Sequence, residues 1–319
     1  MRRETSHSDL VYATASQNSA AASSPIAASW RRCLNLHQLQ PEEGRKPVQV
    51  DDIVFREARE KMEHLIHVCA DEFDRLYQTV GRSGCCLVLS DKNGIVLDRR
   101  GSAGDDADFH GLGLWQQNVW SEASVGTNGI GTALADERAV VIHGDQHFLS
   151  SNTALSCATA PIRDHLGRVA AALDISTCRQ DVTDMTLAIL SQAVRDVATR
   201  VEMSLFRMAF PAARIVMVPN AGVSVSALLA VDQDDLILGA TKAARVALRL
   251  DDQMIAQGIP AADALSEDRG EASSDLDDAE RAALRRALSR TNGNVSQAAQ
   301  VLGISRATLH RKMKRFSLQ

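Results

Sequence analysis

Between Gly293 and Phe316 the chain reads GNVSQAAQVLGISRATLHRKMKRF, two short apolar-patterned stretches separated by Gly303-Ile304-Ser305. A residue without Cβ followed by a hydroxyl residue favours one local geometry. Helix 295–302 ends at a left-handed glycine, and Ser305 caps the next helix, 306–316. A preceding helix over 279–290 buries Ala283, Leu284 and Leu288, and Thr291-Asn292-Gly293-Asn294 stops it. Ala298, Ala299, Val301, Leu302, Ile304, Leu309 and Met313 supply the expected core of this all-α unit. Two short helices at a glycine-containing turn set the first residues of the second helix where they can enter a DNA major groove.

Charge points the same way. From Arg281 to Gln319 there are nine Lys/Arg and no Asp/Glu, within a chain of formal net charge −5, so residues 1–280 carry −14. A basic end on an acidic body suits contact with a polyanion through that end alone. Arg306, opening the last helix, can donate two hydrogen bonds to guanine O6 and N7. Ser305 and Thr308 can reach phosphates or base edges, and Arg311, Lys312, Lys314 and Arg315 suit phosphates. The alternative is a helical hairpin packed against the body.

At these residues the chain resembles the C-terminal DNA-binding domain of Fis and of bacterial enhancer-binding regulators, through both helices and the turn. The resemblance implies DNA contacts from Ser305, Arg306, Thr308, Arg311 and Lys312, with Asn294 and Ser296 at phosphates. His310 stands where that family often has Arg, so a contact there is expected to be weaker or pH-dependent. The resemblance also implies a homodimer on a near-palindromic site in double-stranded DNA.

The body divides by pattern. Residues 1–24, with the polar run ATASQNSAAASS, read as a flexible N-terminus, and a short helix follows from Pro25 to about His37. From 51 to 80, Ala58, Met62, Leu65, Ile66, Cys69, Phe73, Leu76, Tyr77 and Val80 recur at three- and four-residue intervals, the stripe of an amphipathic helix. From 85 to 178 the period becomes that of strands. CCLVLS and GIVLDRR form one hairpin, AVVIH a third strand, and LSCATAPI and RVAAALDIS a second hairpin. Thr183 to Ala209 is a second long helix. Residues 211–265 hold a smaller unit with strands LLAVD and LILGA and a helix over 241–250. An acidic linker over 266–276 precedes the basic unit, 277–319. The class is α+β, an antiparallel sheet flanked by long helices.

Composition excludes several classes. Hydrophobic residues are 45% and charged residues 24% of the chain, without an apolar run of membrane-spanning length, and the N-terminus is not a secretory signal. Six cysteines without CxxC spacing argue for a reducing cytoplasm, and against a disulfide framework or a zinc site. Gly126-Thr127-Asn128-Gly129-Ile130-Gly131-Thr132 lacks the GK[ST] of a phosphate loop and reads as a tight turn into a helix. His143 and His147 follow a strand and so are not a helical metal pair. Cys85 and Cys86, vicinal in a strand, face opposite sides. No catalytic set, metal site or cofactor is expected.

The segments SWRRCLNLHQLQP (29–41), WSEASVGTNGIGTALADERAVVIHGDQHF (120–148) and LSCATAPIRDHLGRVAAALDIS (155–176) resemble the GAF sensor domain of regulators of the acetoin-catabolism activator type, over residues 25–210. Residues 211–265 resemble that family's degenerate PAS segment, with Asp235 and Thr241 where Gly and Asn are usual. The resemblance implies a pocket for a small-molecule effector, lined or rimmed by Trp120, Glu122, Thr127, Asn128, Thr132, His143 and His147. Such regulators carry an ATPase domain with a Walker A motif and a GAFTGA loop between sensor and helix-turn-helix. Neither motif occurs here. The expectation is therefore a cytoplasmic, nucleoid-associated transcription factor that neither hydrolyses ATP nor remodels the sigma-54 polymerase by itself. One alternative is an interaction partner of full-length relatives or of RNA polymerase at enhancer sites, without a ligand. Another is an enzyme of the methionine-sulfoxide-reductase type acting through Cys85 or Cys86.

Overall fold

Three Asp-led turns organise the strands. Asp91 Oδ1 accepts from the amides of Asn93 and Ile95 at 2.9 and 2.8 Å, Asp164 from those of Leu166 and Arg168, and Asp232 from those of Asp234 and Leu236. A carboxylate that bonds its own backbone two and four residues on fixes a tight reversal. In the third turn the left-handed position is taken by Asp235 (φ +65°), where the family resemblance puts Gly. Asp is among the residues that tolerate this conformation, and Arg214 pairs with its carboxylate at 2.6 Å.

The structure is a computed structural model that describes residues 6–17, 19, 22, 24–219, 226–265, 280, 281, 283, 284, 287, 288, 291, 293–316 and 318. The linker read over 266–276, and part of the helix read over 279–290, lie outside the described residues. The chain opens with α1 (His7–Ser16), α2 (Pro25–Asn35), β1 (Val48–Gln49) and α3 (Asp52–Val80). Then come β2 (Cys85–Asp91), β3 (Val96–Arg100), α4 (Asp106–Leu112), β4 (Asn118–Val119), α5 (Glu122–Val125), α6 (Gly129–Asp136), β5 (Val140–His143), β6 (Ser156–Arg163) and β7 (Val169–Thr177). The long α7 (Asp184–Ala209) leads to β8 (Arg214–Met217), β9 (Leu228–Val231), β10 (Ile237–Ala240), α8 (Lys242–Leu248), α9 (Asp252–Ala256) and α10 (Ala261–Leu265). Last come α11 (Val295–Val301) and α12 (Arg306–Arg315).

The main sheet is antiparallel, in the order β3-β2-β7-β6-β5. On one face the stripes of α3 (Leu65, Cys69, Phe73, Leu76, Val80) and α7 (Leu190, Val194, Val197, Val201, Leu205) pack on Leu87, Leu89, Leu173 and Ile175. Met208, at the end of the α7 stripe, is exposed. On the other face the short helices and loops bury Trp30, Phe109, Trp120, Phe148 and Leu149. Cys85 lies in the first of these cores and Cys86 in the second, the alternation their adjacency in a strand requires.

The segment read as a flexible N-terminus contains α1. Ser6 and Asp9 form a reciprocal capping box at its start, and Val11 is fully buried against the loop face. One buried side chain makes no stripe, so periodicity could not show this helix. A three-stranded sheet, β10-β9-β8, forms the smaller unit. It packs Leu228 and Ala230 on Phe206 near the end of α7. Thr241, where Asn is usual, caps α8 through Ala244 N. In the C-terminal unit, Leu284, Ala287, Ala298, Ala299 and Leu309 form the core. Val301, expected in that core, is instead 56% exposed. No helix among the described residues is long and apolar enough to cross a membrane.

Candidate DNA-reading helix and sensor network

The turn before α12 forms as its residues dictate. Gly303 takes φ +63°, and Ser305 Oγ accepts from Thr308 N at 3.1 Å while lying 2.8 Å from Thr308 Oγ1. Ser305 and Thr308 thus fix the start of the helix, and Arg306, His310, Arg311 and Lys314 are exposed along it. Arg306, His310 and Lys314 recur every four residues and share one face. Lys312 differs: it is half-buried and ion-paired with Glu280, which Arg315 also approaches at 3.9 Å. A phosphate would have to compete with that carboxylate for Lys312. Asn294 caps α11, accepting from the amides of Ser296 and Gln297, and both Asn294 and Ser296 are exposed.

The residues expected around a sensor pocket are placed by three local devices. Glu122, 4% exposed, accepts from Arg32 Nε and Nη2 at 2.8 Å each and from Ser29 Oγ at 2.5 Å. Ser29 Oγ also lies 2.6 Å from Thr127 Oγ1 and 3.4 Å from Thr132 Oγ1. Glu122, Thr127 and Thr132 therefore meet on α2, and the Glu122 bonds hold the Arg32 guanidinium above even its usual range. Asn128 caps α6 through Gly131 N and donates to Gly126 O. Trp120 Nε1 donates to Gly113 O at 2.8 Å.

His147 belongs to a separate buried string. Its Nδ1 lies 3.0 Å from Gly144 O and its Nε2 3.5 Å from Cys157 Sγ. Ser176 Oγ lies 3.1 Å from that sulfur and 2.5 Å from Asp174 Oδ2, and Thr159 Oγ1 donates to Asp174 Oδ1. Burial pushes His147 down to about 4, so it is neutral at pH 7. His143 is half-buried, with Nδ1 2.7 Å from Ser156 Oγ. Ser29, Arg32 and Asp174 were not foreseen, although Ser29 and Arg32 stand three apart in SWRRC, one face of a helix.

Burial raises Asp174 from the ordinary carboxylate value to about 6, against the two hydroxyl donors that favour its ionised form. Because the folded value exceeds the unfolded one, the folded state holds an extra proton between about pH 4 and 6. The resulting stabilisation is present below pH 4 and is lost as pH rises through 6, amounting to about 2–3 kcal/mol. Comparison with Asp174→Asn isolates this from the opposite contribution of His147, which both proteins share. In urea melts the stability of wild type minus that of Asp174→Asn should fall between pH 4.5 and 7.5. A signed difference that rises with pH would overturn the assignment.

Residues 3–202 match the family described as MimR, N-terminal domain, and residues 275–316 match that described as bacterial regulatory protein, Fis family. The chain is 30% identical over 227 residues to the acetoin catabolism regulatory protein of Cupriavidus necator, covering 70% of this chain and 34% of that protein. It is 29% identical over 178 residues to the propane 2-monooxygenase operon transcriptional activator MimR of Mycolicibacterium smegmatis, covering 54% of this chain and 28% of that one. The chain thus spans about a third or less of the length of these relatives. A chain in the crystal structure of the E. coli DhaR(N)-DhaL complex shares the fold, with TM-score 0.53 and 18% identity, covering 71% of this chain and 77% of that chain.

Proposed function

The chain belongs to the family described as MimR, N-terminal domain, which matches well over half of it, and on that footing we propose that it is a ligand-responsive, DNA-binding transcriptional regulator. The observation that carries this reading is the exposed Arg306–His310–Lys314 face of α12, held on a capped turn within a segment of Fis-family type. We read the five-stranded unit as a GAF-type sensor and the three-stranded unit as PAS-like. A small molecule bound in the sensor would shift the packing of α3 and α7, to the extent that it binds one arrangement better than the other. Exposed Ile53 and Val54 on α3, and Met185 and Ile189 on α7, support those helices as the contact between two protomers. Between residue 265 and the Fis match at 275 no ATPase domain fits. The chain would therefore act on promoters without hydrolysing ATP.

The test is selection of sites from random duplex DNA by the wild type and Arg306→Ala, repeated across salt concentrations. Arg306→Ala should cost about 1–3 kcal/mol at the selected site and relax preference at one base position. The phosphate-contacting cations set the salt slope, which should change little. If both proteins bind weakly and alike, the basic helix is a general polyanion patch. A second reading would then lead: the chain shares sensor and Fis segments with longer relatives, and would pair with them as a modulator.

A further inference from the structure

Neighbouring arginines on β3 point to opposite faces of the sheet. Arg100 lies over the Phe73 ring on the helical face, paired with Asp74 at 2.7 Å. Arg99 turns into the loop face, where only 9% of its side chain is exposed. Its Cζ lies 4.1 Å from the centroid of the Trp115 ring and 5.5 Å from that of Phe109, and Cys86 is within its reach. Asp106 Oδ1 stands 2.7 Å from Nη1. Nε and Nη2 are buried with no hydrogen-bond partner, and so is Asp106 Oδ1, whose approach to Nη1 is an ion pair without hydrogen-bond geometry.

Which nitrogens are bonded matters. Nε and Nη2 share one side of the planar guanidinium, the edge that matches the two oxygens of a carboxylate. Asp106 stands at the opposite corner and leaves that edge unpaired. A buried guanidinium with three of its five N–H groups unmatched is costly to keep in a core, and the stack on Trp115 answers only part of that cost.

We infer that the Nε/Nη2 edge of Arg99, backed by Trp115 and Phe109, is the effector site of the sensor unit and takes a small organic monocarboxylate. This deepens the ligand-responsive reading proposed above and rests on it. Asp106 already sits 2.7 Å from Nη1, which disfavours a dianion such as a phosphate ester beside it, and the Nε/Nη2 fork matches the two oxygens of a single carboxylate. Flat apolar ring faces suit a short hydrocarbon remainder. The cover is one segment thick. The backbone of Gly101 lies against Nη2, so that a Cβ there would collide with it. Ala103, Gly104, Ala107 and Asp108 beyond it are exposed. A Cβ at Gly104 would meet only Ser102 within 4 Å, so the outer side of this segment is free of packing.

The test uses the full chain and thermal melts with propionate, lactate and benzoate, and with propionamide as the neutral control. The wild-type Tm should rise with at least one acid and not with propionamide. Arg99→Lys, which keeps the charge but loses the fork, should bind that acid about tenfold more weakly or worse. Arg99→Met should lose the response; because it strands the Asp106 carboxylate its ligand-free Tm is expected to fall, so only the response to the acid is read in this variant. No rise with any of the acids, an equal rise with propionamide, or a rise retained in Arg99→Met would overturn the assignment. Site selection by α12 is read separately, so failure here leaves the DNA-binding reading standing.

Discussion

Glu122→Ala is expected to remove about 3–5 kcal/mol of stability, the cost of leaving one partner of a buried ion pair behind. Glu122 is 4% exposed and takes both forks of Arg32 and the Ser29 hydroxyl. Truncation frees all three donors at once. Two features draw the loss toward the lower end of the range. Arg32 keeps Asp136 at 2.8 Å and is 31% exposed, so water can reach part of the guanidinium. Ser29 keeps Thr127. Glu122→Gln retains an acceptor but turns an amide donor toward Arg32, so it should fall between wild type and Ala. Urea denaturation of Glu122→Ala, Arg32→Ala and the double variant gives the pairwise energy directly. Coupling above about 1.5 kcal/mol is expected for groups sharing one network. Simple additivity would show that the pair does not tie α2 to the five-stranded unit.

That network also shows where sequence reasoning stops. The long helices were legible because their apolar residues recur within one element, and the turn before α12 because Gly303 and Ser305 are adjacent. Cys85 and Cys86 could be assigned to opposite faces by strand geometry alone. By contrast, polar residues such as Glu122, Thr127 and Thr132 stand out in an apolar stretch whether they meet a ligand or one another. The deciding partners, Ser29 and Arg32, lie 93 and 90 positions from Glu122. The two-residue strands β1 and β4 pair Val48 with Val119 and Gln49 with Asn118, too short for any period to show. Arg99 and Arg100 are adjacent cations at the end of the strand GIVLDRR, and only the fold separates the one on the helical face from the one in the core. Val301 fits the apolar pattern of α11 yet faces outward, since Ala298 and Ala299 already close the contact with Leu309.

Gly126→Ala should be comparably severe, for two separable reasons. Gly126 has φ +70° and ψ −160°, a conformation essentially restricted to glycine, and forcing another residue into it costs about 1–3 kcal/mol. A Cβ there would also stand 2.6 Å from both Cβ and the ring Cδ1 of Phe148, and Phe148 is fully buried, so the ring cannot yield by swinging into solvent. Overpacking of that kind adds about 1–3 kcal/mol. The total should exceed about 3 kcal/mol in denaturant melts. Gly293→Ala is the control: it too has positive φ, at +78°, but nothing lies within 4 Å of the added carbon, so only the backbone cost of about 1–2 kcal/mol applies. Combining Gly126→Ala with Phe148→Leu should recover part of the packing loss and none of the backbone loss, leaving positive coupling between the sites. Full recovery would place the entire penalty in the ring contact. No recovery would place it in the backbone and in the contact with Phe148 Cβ and Cγ, which leucine retains.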